Sequence, residues 1–143
     1  MTKKLAPHDK INSLVGFQIQ MAGLCLNEAA RTALSADGLS PAKVTALSLV
    51  GANPGCEQSA LARALSINRA SAMKLVNVLE DHGLVERRPG RDLRSNALYL
   101  TPSGKHRLDA MIDRLAAAER VVLANLDDAE RAMLIRLLGR VRG

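Results

Sequence analysis

The chain has 143 residues, a length that fits one domain with its own core. Hydrophobic residues make up 48% and charged residues 24%, which argues against disorder, and the 1% aromatic content argues against base stacking on single-stranded nucleic acid. A formal net charge of +6 suits a nucleic-acid partner but leaves an acidic protein or a membrane surface open as alternatives.

The N-terminus carries Lys3 and Lys4 ahead of an apolar stretch that leads to Cys25. Asn12, Ser13, Gln18 and Gln20 interrupt that stretch, and Leu24 spoils a lipoprotein cleavage site, so neither a membrane span nor a signal peptide is expected. The expectation is a cytoplasmic protein. Residues 9 to 34 carry a helical pattern without proline, with Ile11, Leu14, Val15, Ala22, Cys25, Leu26, Ala29 and Ala33 on the 3.6 period. Phe17, Met21 and Leu24 cover a second face, so this helix calls for partners on two sides, one of them a second subunit. Gly16, Gly23 and Ala30 recur every seven residues along one stripe, which suits a close helix approach or a loosely packed face.

Ser40-Pro41 starts the next helix as N-cap and first helical residue, and residues 51 to 55 end it in a turn. A short helix is expected over 58 to 65, with Leu61, Ala62 and Leu65 inward. Ser66-Ile67-Asn68 makes a tight turn, and Asn68 caps a helix over 69 to 82 that Gly83 closes. Residues 84 to 88 read as a strand, 89 to 92 as a turn and 96 to 101 as the returning strand. Thr101-Pro102 opens a long helix to about 124, with Leu108, Met111, Ile112, Leu115, Val121 and Val122 inside. Asp127 caps a last helix that carries Met133, Leu134, Leu137, Leu138 and Val141.

Two short helices, a three-residue turn and a basic hairpin follow the order of a winged helix-turn-helix. In the second of those helices Ala72, Leu75, Val76 and Leu79 point inward, and Arg69, Ala70, Ser71, Lys74 and Asn77 form the opposite stripe. Those small or hydrogen-bonding groups suit base edges in a major groove. In the hairpin Arg87, Arg88, Arg91 and Arg94 fall within eight residues against one acid, Asp92, and arginines there suit a narrow minor groove. The rival reading is a solvated charged hairpin that contacts nothing.

From Leu39 to Lys105 the sequence resembles the MarR family of bacterial transcriptional regulators. The residues that carry the likeness are Leu39-Ser40-Pro41, Asn53-Pro54-Gly55, Gln58, Leu61-Ala62, Asn68-Arg69-Ala70-Ser71, Leu75-Val76 and Leu79-Glu80. Gly83-Leu84-Val85, Arg87, Asp92, Arg94 and Leu100-Thr101-Pro102-Ser103-Gly104 complete them. The resemblance implies a mainly α fold with a small β-hairpin wing, dimeric through its N- and C-terminal helices. Residues 36–101 would form the DNA-binding lobe of a single domain over 1–143, and 9–34 with 102–143 the dimerisation lobe. It also implies a repressor that binds a double-stranded, pseudo-palindromic operator as a homodimer and leaves it on meeting a small-molecule effector. Arg69, Ala70, Ser71, Lys74 and Asn77 match the family's DNA-reading stretch, Arg94 its wing arginine, and Asp92 the acid that shapes the wing. Glu57 departs from the usual Ser or Thr, Val78 from a basic residue, and Leu93 and Ser95 make the wing less basic.

An effector cleft is expected to be lined by Phe17, Met21, Leu24 and Met111, from the faces of the first and fifth helices. Cys25 and Cys56 form no CxxC and have no His nearby in sequence, so no metal, disulfide framework or cofactor is expected. Both cysteines read as buried and structural, with a thiol-based redox sensor of the same fold as the alternative. His8, His82 and His106 are scattered and pair with no nucleophile, so the chain is not expected to be an enzyme. A winged-helix protein-interaction module without DNA binding is the other alternative.

Overall fold

The structure, a computed structural model, describes residues 5–92 and 95–143. Lys3, Lys4, Leu93 and Arg94, and the expectations placed on them, lie outside the described residues. In chain order the elements are α1 (Asp9–Asn12), α2 (Val15–Ala33), the 3₁₀ turn η1 (Ser35–Asp37), α3 (Pro41–Ala52), β1 (Cys56–Glu57) and α4 (Gln58–Ala64). They continue with α5 (Arg69–Asp81), β2 (Val85–Pro89), β3 (Asn96–Leu100), α6 (Pro102–Val122) and α7 (Asp128–Arg142). Among the described residues no helix is long and apolar enough to cross a membrane.

The N-terminal pattern does not fold as one helix. The chain leaves the helix at Ser13 and is extended at Leu14, between α1 and α2. Polar side chains compete for the carbonyls that a continuous helix would use. The Ser13 hydroxyl donates to the Lys10 carbonyl at 2.9 Å, and the Gln18 amide donates to the Asn12 carbonyl at 2.6 Å. Periodicity alone is blind to that competition.

Three of the later helices start at their caps, whereas Ser40 precedes Pro41 of α3 without a side-chain cap bond. Asn68 accepts from the Ser71 N–H at 2.8 Å, and Thr101 from the Gly104 N–H at 2.9 Å. Asp127 and Glu130 form a reciprocal capping box at the start of α7. Gly83 stands at φ 69°, a left-handed position that ends α5 and sends the chain into β2.

The sheet has three antiparallel strands in the order β1-β3-β2. The two-residue β1 was not expected from the sequence, because Cys56-Glu57 is too short for a period to show. It pairs Cys56 with Leu98 and Glu57 with Ala97, which ties the start of α4 to the wing hairpin.

The core gathers Leu34, Leu39, Val44, Leu47, Val50, Leu61, Val76, Leu79, Leu84, Val85, Leu98, Leu108 and Met111, all buried. Each such side chain contributes about 1.5–3 kcal/mol by leaving water. This core joins α3, α4, α5 and the sheet to the first half of α6. Beyond it the expected inward residues of the last two helices are uncovered: Ile112, Val121, Met133, Leu134, Leu137 and Val141 are exposed, and neither α2 nor α7 buries a residue. Those positions are apolar at helical spacing, but one copy of the chain supplies nothing to lie against them.

The start of α6 is fixed tightly to the end of α5. The Thr101 hydroxyl donates to the Gly83 carbonyl at 2.6 Å, and the Thr101 N–H to the Leu84 carbonyl at 3.0 Å. A Cβ on Gly104 would stand 2.0 Å from the Leu84 carbonyl oxygen, so only glycine allows this approach. Farther along, Asp37 of η1 pairs with Arg114 of α6 at 2.5 Å, and its carbonyl accepts from Arg107 at 3.4 Å.

Candidate nucleic-acid interface

The helix-turn-helix is built by its turn. Ile67 N–H donates to the Ala62 carbonyl at 3.0 Å, which closes α4, and Ser66 takes the left-handed conformation at φ 53°. α5 then packs Ala72, Val76 and Leu79 into the core, with Leu75 half-buried. The opposite stripe is left in solvent: Arg69, Ala70, Ser71, Lys74 and Asn77 are all exposed. Met73, not among the residues expected from the sequence, stands 50% exposed on that stripe. It lies four residues from both Arg69 and Asn77, so helical spacing alone could have placed it there. Its thioether adds an apolar group of the kind that contacts a thymine methyl.

The wing distributes its arginines unequally. β2 pairs Val85 with Leu100, Arg87 with Leu98 and Pro89 with Asn96, so strand alternation puts Arg87 on the face of buried Val85. There its guanidinium donates to Glu80 at 2.8 Å, to Asn77 at 2.7 Å and to Gln58 at 3.2 Å. Arg88 faces the other way, pairs with Glu86 through its Nε at 2.8 Å and lies 4.1 Å over the Tyr99 ring. Arg91 is exposed in the turn with no ion pair among the described residues. Asp92 is exposed beside it. The described wing therefore offers Arg91 most openly, while Arg87 is directed into the protein.

A concavity of about 570 Å³ lies between the starts of α4 and α5 and the wing, bounded by Glu57, Ser59, Arg69, Ala70, Met73 and Asp92 among others. It brings the N-terminal part of the exposed α5 stripe and the wing turn to one surface. Glu57 occupies the N-cap position of α4 without capping it, and its carboxylate accepts from Ser59 Oγ at 3.3 Å. Val78, the other departure, is half-buried against the core, away from this surface.

A second cavity, about 340 Å³, opens between α2, α3 and α6. Leu26, Ala30, Val44, Ile112 and Leu115 give it apolar walls, with Thr45, Ser48 and Glu119 as polar edges. None of the four residues expected in an effector cleft lines it. Met111 is wholly buried in the core, Met21 and Leu24 are exposed on the uncovered part of α2, and Phe17 lies near the start of that helix. The break between α1 and α2 interrupts the expected continuous helix from residue 9, and helical period alone does not say which face meets α6.

The cysteines part company. Cys56 is half-buried, and burial pushes its thiol above the ordinary value, partly offset by a backbone hydrogen bond. Cys25, expected to be buried, is exposed in a single copy because nothing covers this part of α2.

Comparison with known proteins places this geometry. A model described as the MarR family matches residues 37–95. A Thauera aromatica protein named as a transcriptional regulatory protein for the hcr operon is 34% identical over 136 residues, covering 94% of this chain and 82% of the relative. The transcriptional repressor CouR, solved bound to a 23-mer DNA duplex, is similar at 27% identity and a TM-score of 0.86, over 98% of this chain and all of that one. A MarR family protein of Mycobacterium tuberculosis, solved in complex with DNA, is 26% identical with a TM-score of 0.79, over 92% of this chain and 99% of that one.

Proposed function

From the premise that this chain belongs to the MarR family of transcriptional regulators, we propose that it is a repressor that binds a pseudo-palindromic DNA operator as a homodimer. The observation that carries the reading is the exposed α5 stripe of Arg69, Ala70, Ser71, Met73, Lys74 and Asn77, set beside the wing turn with Arg91. A helix with its apolar side buried and such a side open can enter a major groove while the wing reaches the flanking groove. Two relatives of similar length and fold were solved on DNA, which supports the same use of this surface. The uncovered apolar side chains of α2, α7 and the end of α6 support the homodimer, since a second copy would shield them.

The cavity between α2, α3 and α6 is the place we assign to a small-molecule effector. It has apolar walls and touches helices of both lobes, so a ligand there bears on how the DNA lobe sits against the proposed dimer helices. The chain's action on operator DNA fits a cytoplasmic location.

Protection footprinting on genomic DNA at two salt concentrations tests the reading. The expected footprint has two half-sites about one helical turn apart and weakens as salt rises, because bound cations release counterions from phosphate. Uniform, sequence-independent protection would overturn it.

A further inference from the structure

The proposed DNA surface contains a group that works from behind it. Arg87 stands on β2, yet its three hydrogen bonds go to two other elements: Gln58, the first residue of α4, and Asn77 and Glu80 of α5. Only 19% of its side chain is accessible, and its charge is met by Glu80. Guanidinium is a planar fork with five N–H donors and no acceptor, so it can serve several acceptors at fixed angles where an ammonium cannot. Arginine has no acceptor to offer, so the Asn77 amide must turn its oxygen toward Arg87 and hold its orientation on the exposed stripe.

We infer that Arg87 is a positioning residue for DNA reading: it locks the wing strand, the first helix of the motif and the recognition helix into one unit and sets the Asn77 amide, without itself neutralising a phosphate. The inference rests on the DNA-reading function proposed above. Base discrimination then depends on Arg87, whereas counterion release does not. Arg91, exposed in the wing turn, has the reverse profile.

The test uses a duplex recovered by the wild-type protein from random-sequence DNA. Binding to it and to single-base-substituted versions is titrated over a salt series for wild type, Asn77→Ala, Arg87→Ala, Arg87→Lys, Glu80→Gln and Arg91→Ala. Arg87→Ala is expected to keep the wild-type salt slope and lose about tenfold in discrimination at the base pair that also responds to Asn77→Ala. Arg87→Lys, which keeps the charge and loses the fork, is expected not to restore it. Arg91→Ala should instead reduce the slope by about 1.8, since the proposed dimer loses one cation from each copy, and leave discrimination in place. If circular dichroism finds Arg87→Ala unfolded, Glu80→Gln decides, because it disturbs the bracket without removing a cation. It should reduce discrimination at the wild-type slope, and unchanged discrimination would overturn the inference. A slope reduced by about 1.8 in Arg87→Ala, or full recovery in Arg87→Lys, overturns the positioning role alone. A wild-type protein that recovers no sequence overturns both it and the DNA-reading function.

Discussion

The two ends of this molecule and its middle are written in the same kind of sequence and fold under different conditions. α3, α5 and the sheet bury Val44, Leu47, Val50, Val76, Leu79 and Leu98 almost completely within one chain. α2 and α7, with comparable apolar spacing, bury nothing. Leu134, Leu137 and Val141 along α7, and Val15, Ile19 and Leu24 along α2, all remain open to solvent. An apolar stripe states how much surface must be covered and is silent on who covers it. In the middle the covering surface comes from the same chain. At the ends it comes, on the proposed reading, from a second copy.

The contrast is broken most severely at the joint between the regions. Gly104→Ala would press a methyl group 2.0 Å from the Leu84 carbonyl oxygen, a backbone atom with little room to yield, and should destabilise the fold by about 3 kcal/mol in urea unfolding. A loss under about 1 kcal/mol would mean that the joint can yield. A different signature is expected at the ends. Leu134→Asp combined with Leu137→Asp should turn the proposed dimer into a monomer by sedimentation and abolish the rise of melting temperature with concentration. A variant that remains dimeric would place the contact elsewhere. The smallest effect sharpens the comparison most. Gly23 meets nothing within 4 Å in one copy, so Gly23→Ala should favour the helix by about 1 kcal/mol. A weaker dimer instead would show that the glycine stripe is where the second copy approaches.

Much of the middle was legible from sequence because each boundary there has a local chemical cause. Ser40-Pro41, Asn68, Gly83 and Thr101-Pro102 mark ends that the backbone respects, and the α5 stripe followed from its period. What escaped notice depended on partners distant in the chain. β1 exists because Cys56 and Glu57 find Leu98 and Ala97. Arg87 reads with its neighbours as wing charge in the sequence, although two-residue alternation from Val85 points it inward; the identity of Glu80, Asn77 and Gln58 as its partners needs the fold. Gly16 and Gly23 invite a close approach that one chain does not provide. The helical period of α2 does not say which of its faces meets α3 and α6; the fold puts Leu26, Ala29 and Ala30 there.

The fixed start of α6 has a mechanical consequence. Its 21 residues make a rod of roughly 30 Å, clamped at Thr101 and Gly104 to the end of α5 and running out to the uncovered apolar region. A tilt of about 5° about one end carries the other end through roughly 3 Å over that length. In the proposed dimer the two rods share the far end, so a slight change of pitch there separates or closes the two reading heads. Successive major-groove sites on one face of the duplex repeat about every 34 Å, and a span that misses this repeat by a few ångströms leaves one head out of its groove.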